Sequence, residues 1–162
     1  MSMNRLTAFV ILTVTFGALP GCGGQQLSPW HTERLNEEFV AGDDDVQSFA
    51  DYLATEERVF AELQDEVYSQ VPTGSEYGLV RYSAGSMADP QGYDTNWNRT
   101  FEFSSTNPRG GVLLLHGMSD SPYSLHTLGE TLAEQGYWVV GLRAPGHGTA
   151  PSGLKYVKPN DL

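Results

Sequence analysis

Hydrophobic and polar positions follow three rhythms along the chain, and each predicts a different element. Leu6–Leu19 is an unbroken apolar, uncharged run behind a single Arg5. From Trp30 to about Tyr68 the pattern changes. Val46, Phe49, Leu53, Phe60, Leu63 and Val67 recur at spacings of three, four and seven with acids between them. That period predicts helix across residues 30–72, amphipathic, with its charges started by Asp43–Asp45 and its end set by Pro72. Residues 73–111 then carry Gly, Ser, Pro, Asn and Asp clusters between short β-prone runs. Gly78–Ser83 and Thr100–Phe103 are the strand candidates there, with Phe101 and Phe103 on one strand face.

The most informative stretch starts at Gly110-Gly111. Val112–Leu115 are four consecutive apolar residues, the pattern of a strand buried on both faces in a parallel sheet. His116-Gly117 ends the run. Ser121-Pro122 then opens a helix predicted to reach Gln135, with Ser121 as N-cap, Pro122 at the first position and Gly136 beyond the end. Leu125, Leu128 and Leu132 form its expected inner stripe. Tyr137–Leu142 is a second apolar strand, so the unit reads as a parallel crossover. The loop Arg143-Ala144-Pro145-Gly146-His147-Gly148 returns to the sheet edge that holds His116-Gly117. Lys155–Leu162 leads toward a further helix, with Asn160 or Asp161 as its cap. The fold class is therefore α/β, a mostly parallel sheet with flanking helices behind an acidic helical segment.

Charge sharpens that division. The 162-residue chain carries a net −11, and residues 33–66 hold 12 Asp/Glu against two Arg, a balance of −10. Residues 67–162 hold eight acids against six bases, a balance of −2. No basic face exists to displace the counterions of a nucleic acid, so nucleic acid is excluded as a partner. The run Asp43–Asp45 lacks the alternating ligands and central Gly of a calcium loop, and no metal or organic cofactor is implied.

Cys22 is the single cysteine. It follows that run almost at once, and the 14 uncharged residues Leu6–Leu19 suit a signal-peptide core better than a membrane span. The ending Leu19-Pro20-Gly21-Cys22 resembles the lipobox of bacterial lipoproteins, with Pro20 an unusual residue inside it. That resemblance implies a signal peptide over residues 1–21 and a lipid on Cys22, with a tether over 22–29. It also implies export to the bacterial cell envelope, with the outer membrane favoured by the uncharged Gly23 and the membrane a partner through the lipid.

The turn after Val112–Leu115 admits three chemistries. A dinucleotide site needs Gly-x-Gly-x-x-Gly here, and the turn has one glycine, Gly117. A phosphate loop needs Gly-x-x-x-x-Gly-Lys-Ser/Thr, which the chain lacks. The third is an oxyanion turn, whose backbone N–H would face a developing alkoxide. Leu113–Met118, the helix, Trp138–Leu142 and Arg143–Gly148, with their His-Gly and Pro-Gly-His-Gly loops about 30 residues apart, resemble the start of an α/β-hydrolase domain. The likeness is to the lysophospholipase, monoacylglycerol-lipase and serine-aminopeptidase-like branch, and it covers about residues 110–155.

By that resemblance Met118 gives an oxyanion-hole N–H from its backbone, and His116 and Gly117 shape the turn. Pro145, Gly146, His147 and Gly148 shape the second loop, with His147 ordering it and not acting as base. Ser119 and Ser121 fall short of the nucleophile elbow, Gly-x-Ser-x-Gly, which is absent from these 162 residues. The triad order of the family places nucleophile, acid and base past residue 162, so residues 73–162 read as the N-terminal portion of the domain, ending before the elbow. The implied activity is a carboxylic-ester hydrolase working through an acyl-enzyme on a small-molecule or lipid ester. A non-catalytic envelope lipoprotein that binds with the same fold is the alternative from another class. An Asp at the elbow would instead mark a dehalogenase or epoxide hydrolase.

Overall fold

The computed structural model describes residues 26–162. The signal-like segment 1–21 and Cys22 lie outside the described residues, as does the start of the tether. Among the described residues no helix is long and apolar enough to cross a membrane.

The acidic segment is helical in its second half. Helix α1 is a single turn, Pro29–Thr32, and helix α2 runs from Phe49 to Glu66. Between them the chain is irregular, because its polar groups find partners outside any local helix. The N–H groups of Asn36 and Glu37 donate to the Glu62 carboxylate at 2.8 and 2.9 Å. Helix α2 starts at Ser48 and not at Asp43–Asp45. Ser48 is extended, its hydroxyl accepts from Asp51 N–H, and the Asp51 carboxylate takes the Ser48 hydroxyl at 2.7 Å. That reciprocal pair satisfies first-turn donors which Asp43 cannot reach, since Asp43 is already committed to the Asp45 N–H at 3.0 Å. The apolar stripe accordingly begins a turn later than its spacing suggests. Val59, Phe60, Leu63 and Val67 are buried, whereas Phe49 is exposed. With Leu35, Tyr68, Val71, Tyr82 and Ala150 they form one core cluster.

A three-stranded sheet packs beside this cluster. Its strands are β1 (Phe101–Phe103), β2 (Gly111–Leu115) and β3 (Trp138–Leu142), in the order β1-β3-β2. β2 and β3 run parallel, and β1 is antiparallel to β3, so the sheet is mixed. A 3-10 turn, Pro122–Leu125, and helix α3, His126–Glu134, carry the chain from β2 to β3. The architecture is α/β in this general sense, a small mixed sheet with helices.

Several expectations require correction. Gly78–Ser83 is not a strand. Its N–H groups close successive turns, Val80 to Tyr77 at 2.9 Å and Ser83 to Val80 at 3.0 Å, and the Ser83 hydroxyl ties back to the Pro72 carbonyl. Ser121 does not cap its helix through its side chain. Its hydroxyl donates to Asn98 Oδ1 at 2.8 Å, and regular α-helix is delayed to His126. Leu128 faces outward, because the helix meets the sheet through Gly129. A Cβ there would lie 2.7 Å from the Phe101 ring, so the missing side chain is what lets the backbone approach. β2 is not buried on both faces. Val112 and Leu114 are half-buried, but Leu113 and Leu115 are 59% and 64% exposed on the opposite face, and β2 is an edge strand. Asp161 sits in the 3-10 turn Pro159–Asp161, and its carboxylate accepts the Ala41 N–H at 2.9 Å, tying this turn to the acidic segment.

The two halves meet at Arg143, which is fully buried just past β3. Its guanidinium forms a two-pronged pair with Glu38 at 2.7 and 2.8 Å, and its Nε donates to Glu56 at 3.0 Å. Tyr52 Oη donates to the Arg143 carbonyl, and the Arg143 N–H donates to Thr100 Oγ1 at 3.0 Å. Burial pushes the Glu38 carboxyl up. Arg143 and the N–H groups of Gly146 and Phe39 outweigh that and hold it below its usual 4.5.

Removing the cation should leave two buried carboxylates unmatched, so Arg143→Met is expected to lose about 3–5 kcal/mol in urea unfolding near neutral pH. Glu38 has its pKa lowered by folding, so its contribution is full above 4.5 and lost as pH falls through the lower folded value. The native protein should therefore lose stability in that acid range, and a Glu38→Gln variant should show a flatter acid limb. An Arg143→Met variant as stable as the native chain would show that the cluster does not hold the halves together.

Candidate active site

β2 delivers the chain to a turn at the carboxyl edge of the sheet, and β3, parallel to it, delivers the second loop to the same edge. The two loops grip each other through two histidines. His116 Nε2 accepts the Ala144 N–H of the second loop at 3.0 Å. His147, from the second loop, sets its Nε2 2.8 Å from the Met118 carbonyl of the first. The rings lie 5.0 Å apart, centroid to centroid.

This brace fixes both peptide units that flank Met118. The His116 Nδ1–H donates to the Gly117 carbonyl at 2.9 Å, since Nε2 is occupied as an acceptor, and the Asp120 N–H reaches the same oxygen at 3.1 Å. In a trans peptide the N–H points opposite the carbonyl. Holding the Gly117 oxygen therefore aims the Met118 N–H the other way. His147 does the same for the next unit by holding the Met118 oxygen. Among the described residues neither the Met118 nor the Ser119 N–H donates to a protein acceptor. Met118 is 70% exposed, and Ser119 is exposed as well.

The second loop can make this approach because of its glycines. Gly146 and Gly148 have φ of +74° and +73°, the left-handed region. A Cβ on Gly148 would also fall 2.3 Å from the Asn98 carbonyl oxygen. Beneath the loop, Arg143 Nη1 donates to the His147 carbonyl at 3.0 Å, and the Gly146 N–H donates to Glu38 at 2.9 Å. Pro145 supplies its carbonyl to His147 Nδ1 at 2.8 Å.

The structure thus brings His116, Gly117 and Met118 together with Pro145, Gly146, His147 and Gly148. Both His147 nitrogens lie 2.8 Å from a carbonyl oxygen, of Pro145 and of Met118, and neither is hydrogen-bonded to a hydroxyl. Ser119 is exposed, and among the described residues no histidine is hydrogen-bonded to a serine hydroxyl. Nor does any group of three His, Cys, Asp or Glu among them stand ready for a metal ion. Asn98, which opens an Asn-Arg-Thr sequence, is buried against Ser121.

A scan of protein-family models finds no match to this chain, and a search of curated proteins finds none either.

Sequence reasoning missed the supports of this site. Glu38, Glu56 and Tyr52 read as part of a solvated acidic helix, yet they converge on Arg143. A signal existed, because an arginine directly after the buried strand β3 needs a carboxylate partner and the surplus lies in residues 33–66. The wall formed by Trp30, Arg81, Tyr82 and Thr149 was also missed. It lines an open cleft of about 1250 Å³ that reaches Ser119, Asp120 and His147.

The brace responds to acid in a defined direction. Burial depresses His116, only partly offset by its bond to the Gly117 carbonyl, so its folded value lies below 6.5. Stability from the neutral ring is full above 6.5 and lost as pH falls through the folded value. Protonation also removes the acceptor for Ala144. Amide-exchange protection of Ala144, corrected for intrinsic rates, should hold above pH 6.5 and be lost as pH falls through the folded His116 value, ahead of the β2–β3 ladder. Protection of Ala144 that tracks the ladder across that range would contradict the role given to His116.

Proposed function

We propose that this chain is the N-terminal part of a serine hydrolase of α/β-hydrolase type, a carboxylic-ester hydrolase that works through an acyl-enzyme and is anchored to the envelope by lipid on Cys22. The observation that carries the reading is the Met118 N–H, left free while both neighbouring carbonyls are held by histidines. A donor fixed in this way costs no reorganisation when charge develops on an acyl oxygen, and one such donor contributes on the order of 3 kcal/mol to the barrier. The open edge of β2 supports the same reading. Leu113 and Leu115 are apolar and uncovered, which suits a further strand and helix bearing the nucleophile. Small-molecule or lipid esters are the substrate class, and no cofactor takes part.

Activity-based labelling of the whole protein with a fluorophosphonate should modify a serine other than Ser119. In that protein, Met118→Leu keeps the backbone donor and should change kcat little. Met118→Pro removes it and should cost roughly 10²-fold or more in kcat, with KM less affected. Full kcat in a folded Met118→Pro protein would end the oxyanion assignment. Folded whole protein that resists labelling would favour the non-catalytic lipoprotein. Mass spectrometry of the mature N-terminus should find a diacylglyceryl group on Cys22, and a free thiol there would remove the anchor from the reading.

A further inference from the structure

The wall of the cleft opposite the helical turn holds polar atoms that the fold leaves without partners. Arg81 Nε, Thr149 Oγ1 and His31 Nδ1 are buried and make no hydrogen bond, and all three residues line the cleft. They belong to one patch. Arg81 Nη2 donates to the Gly148 carbonyl at 3.0 Å, which sets Arg81 beside Thr149. Tyr82 Oη donates to the Thr149 carbonyl at 2.9 Å, and Trp30 stacks on the Tyr82 ring at 5.2 Å, which brings His31 to the same wall.

Buried donors without partners are rare, and a buried hydroxyl beside a guanidinium is a costly arrangement unless a ligand completes it. Thr149 is 4% exposed. Among the described residues Arg81 forms no ion pair, although Asp94 and Asp120 also line the cleft. A cation and a hydroxyl with free hydrogen-bonding capacity select an oxyanion, and the flanking rings of Trp30 and Tyr82 select an apolar body joined to it. Ser119, Asp120 and His147 line the same cleft as Arg81 and Thr149, so a molecule held in it reaches from the subsite to the turn that follows Met118.

We propose that Arg81 and Thr149, flanked by His31, form a subsite for the anionic group, carboxylate or phosphate, of a substrate whose ester lies at Met118. The identity of the substrate class rests on the hydrolase reading, but the subsite is tested without turnover. Calorimetric titration of the full-length chain in detergent with butyrate, with inorganic phosphate and with the neutral butyramide separates the sources. Saturable binding of butyrate but not butyramide assigns a carboxylate, and saturable binding of phosphate assigns a phosphate ester. In either case Arg81→Gln should weaken the anion by at least about tenfold. Thr149→Val, which keeps the shape and the Arg81–Gly148 contact, should weaken it by several-fold without lowering the urea midpoint. Binding of neither anion, or anion affinity unchanged in both variants, overturns the subsite. Arg81-dependent anion binding in a protein that no fluorophosphonate labels would sink the hydrolase reading alone. Ester turnover without anion binding would sink the subsite alone.

Discussion

A single buried cation holds this fold together. Arg143 has no contact with water, and charge in that position persists only if oppositely charged partners come with it. Those partners are Glu38 and Glu56, drawn from an acidic segment that would otherwise have little reason to settle on the sheet. The side chain works in three directions at once. It neutralises the segment, it supports the His147 carbonyl, and its own backbone is clamped by Tyr52 and Thr100. Thr100 in turn gives its N–H and hydroxyl to Glu56, so β1 starts from the same cluster.

From that cluster a continuous path of hydrogen bonds leads to the candidate chemistry. Glu38 takes the Gly146 N–H, Arg143 holds His147, His147 holds Met118, and His116 closes the circuit through Ala144. The acidic segment is thereby a structural part of the turn, and the same segment supplies Trp30 and His31 to the cleft. A segment that sets the backbone of an oxyanion turn and also walls the adjoining cleft joins rate and selectivity in one element, in the hydrolase that we propose.

Local signals were legible in proportion to how little they depended on distant partners. β2, β3 and the helix between them follow from runs of apolar residues and a Ser-Pro start, and the structure places all three within a few residues of expectation. The conformational demand behind Gly146 and Gly148 is local too. What sequence did not disclose depended on contacts between distant residues. Residues 33–47 lose their helix to the Glu62 carboxylate and to Arg143, and Ser121 loses its cap to Asn98. Gly78–Ser83 has a strand-like pattern, but its turns are closed by its own backbone. The face of α3 was decided by Gly129, a residue that no hydrophobic stripe counts.

In this network the acidic segment sets the turn at Met118 from a distance. Amide spectra of the full-length chain with Glu38→Gln, compared with the native protein at neutral pH, test it directly. The network predicts shifted resonances and reduced exchange protection at Gly146, His147, Met118 and Ser119, while Val112–Leu115 and Trp138–Leu142 stay as they were. If only residues around Arg143 respond and Met118 and Ser119 are unmoved, the segment is a passive cover and the coupling described here does not exist.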